Sequence, residues 1–257
     1  MKDYKELKQP IKTIFTDIDD TLTTDGRLPS SSYEMLWKLF DAGFSIIPVT
    51  GRPAGWCEMI ARMWPVTAVI GENGAFYFQY KDKQMKRVFA TAEDVRLENQ
   101  KKLKVIEEEV FKQIPNAGLA SDQFTRLFDL AIDFCEDVAP LPQSDIEKIV
   151  KTFTKYGAQA KVSSIHVNGW FGDYNKRSMC EIYYKNEFGK ELESNMESCA
   201  FVGDSPNDEP LFGFFQNSFA VGNIMNFVDQ LKEKPKYIMP GHGAHGFVEL
   251  GNHLLSL

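Results

Sequence analysis

The sequence predicts an α/β protein in which a parallel sheet is interrupted by an inserted α+β module. Short apolar strands alternate with amphipathic helices near both ends of the chain, and this pattern changes between about residues 84 and 172. A strand–helix–strand rhythm implies parallel strands joined by right-handed crossovers. The 257 residues are enough for a core and a smaller module. We therefore expect residues 1–83 and 173–257 to form the core and residues 84–172 to form the module.

The composition is that of a globular protein and argues against several other classes. Hydrophobic residues make up 43% of the chain and charged residues 25%. The net charge of −7 gives no basic footprint for nucleic acid. No apolar run approaches the length of a bilayer span, and the charged N-terminus lacks the apolar region of a secretory signal. Without a C-x-x-C motif, the cysteines fit free thiols in a reducing compartment, and we expect a cytoplasmic protein.

The first predicted core strand ends in a cluster of acids. Ile14 and Phe15 belong to a short apolar run, and Asp17, Asp19 and Asp20 follow it. Acids at the carboxyl end of a strand lie where open α/β sheets bind ligands. Closely spaced carboxylates repel each other unless a cation or a shared proton relieves them, and Mg²⁺ suits oxygen ligands of this kind. The alternative is an acid-rich turn that binds nothing.

Three further polar segments occupy equivalent places in the predicted core. Residues 50–52 (Thr-Gly-Arg) follow a second apolar strand, Lys176 opens a helix, and residues 203–208 follow an apolar strand at 199–202. Hydroxyl and amide groups at strand tips can hold phosphate, and a lysine can stabilise a transferring phosphoryl group. The alternatives are a solvated lysine at 176, a snorkelling arginine at 52 and a helix N-cap at Asp208.

Taken in this order, the segments resemble the motifs of the haloacid dehalogenase-like phosphohydrolases. The matching motifs are D-x-D-x-T at residues 17–21, T-G-R at 50–52, the lysine at 176 and G-D-x-x-N-D at 203–208. The large insertion between the second and third motifs resembles the cap of the type IIB, Cof-like branch, and Asn73 lies in the segment that leads into it. The resemblance covers the chain from residue 11 onward and implies a Rossmann-like core with an α+β cap.

The resemblance also implies roles for the core residues. Asp17 would be the nucleophile, and Asp19 would protonate the leaving oxygen and then activate water. The implied phosphate contacts are Thr50, Gly51, Lys176 and Asn207. The implied Mg²⁺ ligands are Asp17, Asp19 through its carbonyl, and Asp204, with Asp208 orienting that shell or Lys176.

The cap is expected to determine substrate specificity. A strand over about residues 126–134 alternates apolar side chains with Asp129 and Asp133, which predicts one buried face and one wet or ligand-facing side. The candidate substrate contacts are Arg52, Asn73, Arg126, His166, Asn168 and Trp170. Packing within the cap is the alternative for the last three. The pair His242 and His245 is better explained as part of a loop before the last helix than as a zinc site.

The resemblance implies a Mg²⁺-dependent phosphatase that acts on a small phosphorylated metabolite, with a sugar phosphate favoured. Asp19 argues against a P-type ATPase, whose motif carries Thr at that position. A phosphomutase of the phosphomannomutase type has the same two aspartates and stays an alternative. A non-catalytic protein that binds a phosphorylated metabolite is a third possibility.

Overall fold

The computed structural model describes residues 1–163 and 165–257. Within these residues the chain forms thirteen β-strands and seven α-helices. The strands are β1 (Lys2–Asp3), β2 (Thr13–Thr16), β3 (Ser45–Pro48), β4 (Val69–Gly71), β5 (Phe76–Lys81), β6 (Gln84–Phe89), β7 (Gly118–Leu119), β8 (Asp129–Asp133), β9 (Gln159–Val162), β10 (His166–Trp170), β11 (Cys199–Gly203), β12 (Ser218–Ala220) and β13 (Tyr237–Ile238). The helices are α1 (Ser30–Asp41), α2 (Ala54–Met63), α3 (Glu93–Gln113), α4 (Gln143–Lys155), α5 (Lys176–Phe188), α6 (Glu209–Phe214) and α7 (Gly243–Leu254).

Six strands form a parallel sheet at the centre of the core, in the order β1-β13-β12-β11-β2-β3. Helices cover both of its faces. On one face Ile14 belongs to a cluster with α1, α2 and α7, and on the other face Phe15 packs with α5 and α6. Parallel strands that are buried on both faces are rich in apolar residues, and this is why the sequence predicted β2, β3 and β11. The predicted α/β class with a parallel sheet is confirmed.

The predicted third strand leads into a separate antiparallel sheet. Among the described residues, one parallel bridge between Val49 and Ile70 joins β4 to the large sheet. Otherwise β4 pairs antiparallel with β5, and β5 pairs antiparallel with β6. The predicted module boundary at residue 84 falls at the start of β6. Because β6 pairs with β5 along its whole length, we propose that the inserted module begins after β6.

The inserted segment contains a four-stranded antiparallel sheet in the order β7-β8-β10-β9. Helices α3 and α4 pack against this sheet and bury Ile106 and Ile149 with Leu130 and Val167. This hydrophobic cluster is distinct from the two clusters of the core. An α+β unit with its own core therefore interrupts the α/β domain, as the sequence indicated.

The prediction that the side of β8 with Asp129 and Asp133 is exposed to solvent is wrong. Asp129 is 3% exposed and Asp133 is 1% exposed, so both are as buried as their apolar neighbours. Asp133 accepts hydrogen bonds from the backbone N–H groups of residues 135–137, and Asp129 pairs with Arg126. Alternation in the sequence identified the two faces of β8, but it could not reveal that local donors satisfy the polar face inside the protein.

The two-residue strands β1 and β13 at the edge of the large sheet were not predicted, because two residues carry no periodicity. No helix in the described part of the chain is long and apolar enough to cross a membrane.

Candidate active site

The candidate site lies where β2, β3 and β11 end beside one another. Thr16 is aligned with Val202 of β11 and with Pro48 of β3. The backbone N–H of Asp17 donates to Val202 O at 2.8 Å, which fixes Asp17 at the tip of β2. This parallel register brings residues 17–21, 50–52 and 203–208 to one edge of the sheet. Open α/β sheets bind ligands at this edge.

Lys176 connects the two acidic strand ends. Asn175 caps α5 through a capping box with Ser178, which places Lys176 at the first position of the helix. Lys176 Nζ donates to Asp17 Oδ1 at 2.7 Å and to Asp208 Oδ1 at 3.0 Å. The lysine side chain is 12% exposed, so it is not the solvated surface lysine that the sequence left open. Burial alone would lower the pKa of Lys176, but the two carboxylates outweigh it and raise that pKa, so the ammonium stays charged.

Asp208 organises this cluster rather than capping α6. One of its oxygens accepts the Lys176 hydrogen bond, and the other accepts the backbone N–H of Asp204 at 3.1 Å. Its side chain is 0% exposed. Asp208 thereby fixes both Lys176 and the backbone of Asp204.

Three carboxylates surround a position that suits a hard divalent cation. Asp17, Asp204 and Asp208 each offer an oxygen, and these oxygens lie within 4.8 Å of one another. Burial raises the pKa of Asp17 to about 7, and burial together with Asp208 and Asp17 raises the pKa of Asp204 to about 9. Three buried acids against one lysine leave an excess of negative charge that a cation would relieve. The residues therefore fit Mg²⁺, which prefers oxygen ligands.

The Asp19 side chain pairs with Arg52 and is not one of the three grouped acids. Arg52 donates to both of its oxygens, from Nη2 at 2.8 Å to Oδ1 and from Nε at 3.1 Å to Oδ2. The guanidinium of Arg52 also lies 4.4 Å from the ring centroid of Trp56, a cation–π contact. Arg52 therefore does not simply snorkel on a helix surface. An Asp19 contact to a metal would come from its carbonyl, as the resemblance implied, and not from its carboxylate.

Thr50 and Gly51 belong to the predicted phosphate-binding set, and Asn73, a predicted substrate contact, lies beside them. Thr50 Oγ1 accepts the Arg52 N–H at 3.0 Å, so the hydroxyl hydrogen remains available as a donor. Asn73 N–H donates to Thr50 O at 3.1 Å. The Asn73 side-chain amide lies against Gly51, 3.3 Å from the position that a Cβ there would take. A larger residue at 51 would press on this amide, which explains the glycine.

The predicted cap contacts form a buried polar network. The Arg126 side chain is 2% exposed and donates to Asp129, to Asp122 and to Gly51 O at 3.1 Å. Asn168 Nδ2 donates to Asp129 Oδ2 at 2.9 Å. These side chains hold the cap to the core loop, and the same donors are therefore not free to contact a ligand.

His166 and Trp170 are also buried within the molecule. His166 Nε2 lies 2.9 Å from Glu136 Oε2 without the alignment of a hydrogen bond. Burial lowers the pKa of His166. Trp170 is 4% exposed and stacks on Tyr174 at a centroid distance of 6.1 Å. Of the two alternatives that the sequence left open for these residues, packing fits this placement better.

Two side chains near the site were missed in the sequence. Lys161 reaches from β9 of the cap and donates to Asn207 O at 2.8 Å. Burial and the nearby Lys176 lower the pKa of Lys161 to about 8. Asn223, just after β12, donates to Asp204 Oδ2 at 3.2 Å and to Asp20 O at 2.9 Å. Its place at the end of a core strand was the one signal that could have identified it.

Part of the sequence matches a known family, and the whole chain shares its fold with solved structures. Residues 14–114 match the family model of the haloacid dehalogenase-like hydrolases. No curated protein matches the sequence significantly. A HAD/COF-like hydrolase from Plasmodium vivax superposes with a TM-score of 0.71 at 15% identity, covering 98% of each chain.

Two further solved structures share the fold. The sucrose-phosphatase of Synechocystis sp., solved with sucrose and phosphate, has a TM-score of 0.65 at 15% identity, covering 95% of this chain and 98% of that one. A subclass IIB sugar phosphatase of the same superfamily has a TM-score of 0.66 at 15% identity, covering 96% of this chain and 100% of that one. The match to the haloacid dehalogenase-like hydrolases thus lies within residues 14–114, and the chain as a whole shares its fold with these solved structures.

Proposed function

We propose that this protein is a Mg²⁺-dependent phosphatase that hydrolyses a small phosphorylated metabolite through a phosphorylated Asp17. The observation that carries the proposal is the Asp17 carboxylate, which is buried at a strand tip and lies 2.7 Å from the Lys176 ammonium. A carboxylate held beside a fixed cation suits attack on a phosphoryl group, because the cation also stabilises the charge on the transferring oxygens.

The chemistry divides into two displacements. Asp17 attacks phosphorus, a P–O bond to the leaving alcohol breaks, and Asp19 gives its proton to the departing oxygen. Asp19 then takes a proton from water, the water oxygen attacks phosphorus, and the bond to Asp17 breaks to release phosphate. Arg52, bound to both Asp19 oxygens, would hold this acid in place. Thr50 and the Gly51 amide would bind phosphate oxygens.

Asp17 and Asp204, with the Asp19 carbonyl, would hold the metal, and Asp208 would orient Asp204 and Lys176. Mg²⁺ bound there would offset the repulsion among the carboxylates and between them and a phosphate dianion.

A sugar phosphate is the favoured substrate class. Two structures of the same fold are described as a sucrose-phosphatase and a sugar phosphatase, and the cap of this chain contacts the core beside the proposed phosphate site. Lys161 is the candidate substrate contact from the cap, because its ammonium adds a second positive charge near Lys176. The widely spaced cysteines of the chain, which form no C-x-x-C motif, fit a reducing compartment, and a cytoplasmic location is part of the proposal.

Hydrolysis of p-nitrophenyl phosphate by Asp17→Asn tests the nucleophile. We expect kcat to fall by at least about a thousandfold, since each factor of ten corresponds to about 1.4 kcal/mol of barrier. Asp20→Asn is the matched control, because Asp20 lies in the same turn at φ +53°, a conformation that asparagine also tolerates. Activity of Asp17→Asn within about tenfold of the wild type would contradict the assignment.

A screen of phosphorylated sugars then distinguishes the two enzymatic alternatives. Release of orthophosphate supports a phosphatase. Conversion of one sugar phosphate into an isomer, with a bisphosphate retained during turnover, would instead identify a phosphomutase.

A further inference from the structure

The turn at residues 71–75 has an unusual backbone. Glu72 has φ +43°, Asn73 has φ +57° and Gly74 has φ +102°. Left-handed conformations are uncommon for residues other than glycine, and two in succession persist only where surrounding contacts hold them.

One set of contacts joins the turn to the phosphate-binding loop. Glu72 N–H donates to Arg52 O at 3.1 Å, and Asn73 N–H donates to Thr50 O at 3.1 Å. The Glu72 carboxylate also accepts the Ala54 N–H at 3.0 Å, at the start of α2. The path of residues 50–54 is thus fixed by the turn.

A second contact joins the turn to the helix that carries Lys176. A Cβ at Gly74 would lie 2.1 Å from Asn175 O and 2.7 Å from Lys176 N. Such distances leave no room for a side chain, so the backbone of the turn packs directly on the first residues of α5. The turn therefore touches two of the elements that would bind phosphate.

The third set of contacts joins the turn to the cap. Glu72 is 0% exposed, and its carboxylate accepts the N–H groups of Leu127 at 2.9 Å, Phe128 at 2.6 Å and Asp129 at 3.2 Å. In the opposite direction, Arg126 donates to Gly51 O at 3.1 Å. Burial, with a contribution from Asp129, raises the pKa of Glu72, while the amides of Leu127 and Phe128 act to lower it.

The Glu72 carboxylate differs from other buried carboxylates of the cap, such as Asp133, in where its hydrogen-bond donors lie. Asp133 is equally buried and accepts three backbone N–H groups, but all three belong to the same cap loop. Glu72 instead receives donors from α2 of the core and from the start of β8 in the cap. A carboxylate with two oxygens can serve all of these donors, whereas a glutamine would turn an NH₂ group toward some of them.

We propose that Glu72 is a positioning residue that couples the cap to the phosphate-binding loop, so that phosphate binding at residues 50–52 and placement of β8 depend on each other. The proposal rests on the proposed function only in taking residues 50–52 as a phosphate site. A coupling of this kind is reciprocal: if the cap aligns the loop, then phosphate in the loop must also order the cap.

Amide hydrogen exchange on the wild-type protein, with and without orthophosphate in the presence of Mg²⁺, tests the reciprocity. We expect saturating orthophosphate to slow exchange at residues 50–54 and also at Leu127, Phe128 and Asp129. Slower exchange at residues 50–54 without any change at 127–129 would overturn the coupling. If neither segment changed, the coupling would also be overturned, and the proposed phosphate site with it, so the two failures are distinguishable.

A pair of variants separates coupling from stability. Glu72→Gln should weaken inhibition of p-nitrophenyl phosphate hydrolysis by orthophosphate, and raise KM, by roughly tenfold. Asp133→Asn should lower Tm and leave both constants unchanged. Should Glu72→Gln not fold, Glu72→Asp, which keeps the charge but shortens its reach, should give the same increase in both constants. A Glu72 variant with a lower Tm and wild-type constants would reduce Glu72 to a structural role.

Discussion

Asp17, Asp204 and Asp208 form a buried cluster in which Lys176 pairs with Asp17 and Asp208, and the resulting excess of negative charge governs the proposed site at the scale of single residues. Burial is the main cause that raises the pKa of Asp17 and of Asp204, and repulsion among the acids adds to it. Lys161 adds a cation from the cap, and its pKa is lowered to about 8 by burial and by Lys176. The protonation states of Asp17 and Asp204 in the core, and of Lys161 in the cap, therefore depend on neighbouring charges.

Replacing Lys161 tests whether the cap contributes charge to catalysis. A lysine with a lowered pKa is protonated below about pH 8 and loses its charge as the pH rises through that value. We expect Lys161→Met to lower kcat/KM by roughly tenfold, the loss of about 1.4 kcal/mol of transition-state stabilisation. Lys161→Arg keeps the charge at higher pH and should move the alkaline limb of the kcat/KM profile upward.

The measurement is kcat/KM between about pH 6 and pH 10 at saturating Mg²⁺. An unchanged profile and unchanged kcat/KM in Lys161→Met would mean that its hydrogen bond to Asn207 O only holds the cap closed.

At the scale of elements, the parallel register of β2, β3 and β11 brings the acidic and phosphate-binding segments together, and α5 adds Lys176. The cap enters this arrangement through β8 and β9. Arg126, just before β8, binds Gly51 O, and Lys161 on β9 binds Asn207 O. Two cap side chains thus reach the two loops that the proposal assigns to phosphate.

Arg126→Met tests the first of these links. A substrate contact, which is the role that the sequence suggested for Arg126, would give a larger loss with the true substrate than with a small aryl phosphate. Because Arg126 is buried and binds Gly51 O, we now expect both substrates to be affected. The variant also leaves Asp129 with a buried charge that has lost its partner, a change that costs about 3–5 kcal/mol.

Kinetics with both substrates and the melting temperature check this expectation. A loss confined to the larger substrate, at a wild-type Tm, would restore Arg126 to the specificity site. Trp170→Ala serves for comparison: its stacking on Tyr174 predicts a stability loss of about 3–5 kcal/mol with little effect on kcat of the folded protein.

At the scale of the whole molecule, an α/β core and an α+β cap with separate hydrophobic clusters meet at a junction rich in buried charge. Much of this charge belongs to the proposed metal site. The stability of the whole protein should therefore depend on pH and on Mg²⁺ together.

Without a metal, the raised pKa values make the protein less stable as the pH rises. Asp17 and Asp204 have pKa values raised from 3.8 to about 7 and about 9, so the folded protein holds protons that the unfolded chain has released. Their contribution to stability is present below about pH 4 and is lost as the pH rises through about 7 and 9. Because Mg²⁺ replaces these protons, its stabilising effect should grow with pH.

Thermal melts with chelator or with Mg²⁺, at about pH 5 and about pH 9, measure this dependence. An increase in Tm on adding Mg²⁺ that is the same at both pH values, or that survives in Asp204→Asn, would contradict the site. Chelator should also stop activity and Mg²⁺ restore it, whereas Ca²⁺ should bind and inhibit because its coordination is looser.

The sequence alone determined the α/β class, the inserted module and the strand-end motifs, because these features depend on short-range patterns of residues. Buried parallel strands such as β2 and β11 carry no charged residue, and an acid directly after such a strand must lie at the ligand-binding edge of the sheet. That reasoning needs no knowledge of which strands are neighbours. It pointed to Asp17 and Asp204 as candidate site residues without any contact in space, and the family resemblance added Lys176.

Only the tertiary structure decided which polar side chains are bound to partners inside the protein and are therefore not free to contact a ligand. Arg126 and Asp129 looked open to a ligand because alternation reports the face of a strand and not what covers that face. Glu72 and Lys161 carried no signal, since their partners lie 55 and 46 residues away in sequence at Leu127 and Asn207. Contacts between distant segments depend on how the cap packs against the core, and that packing is set by the whole chain rather than by any local pattern.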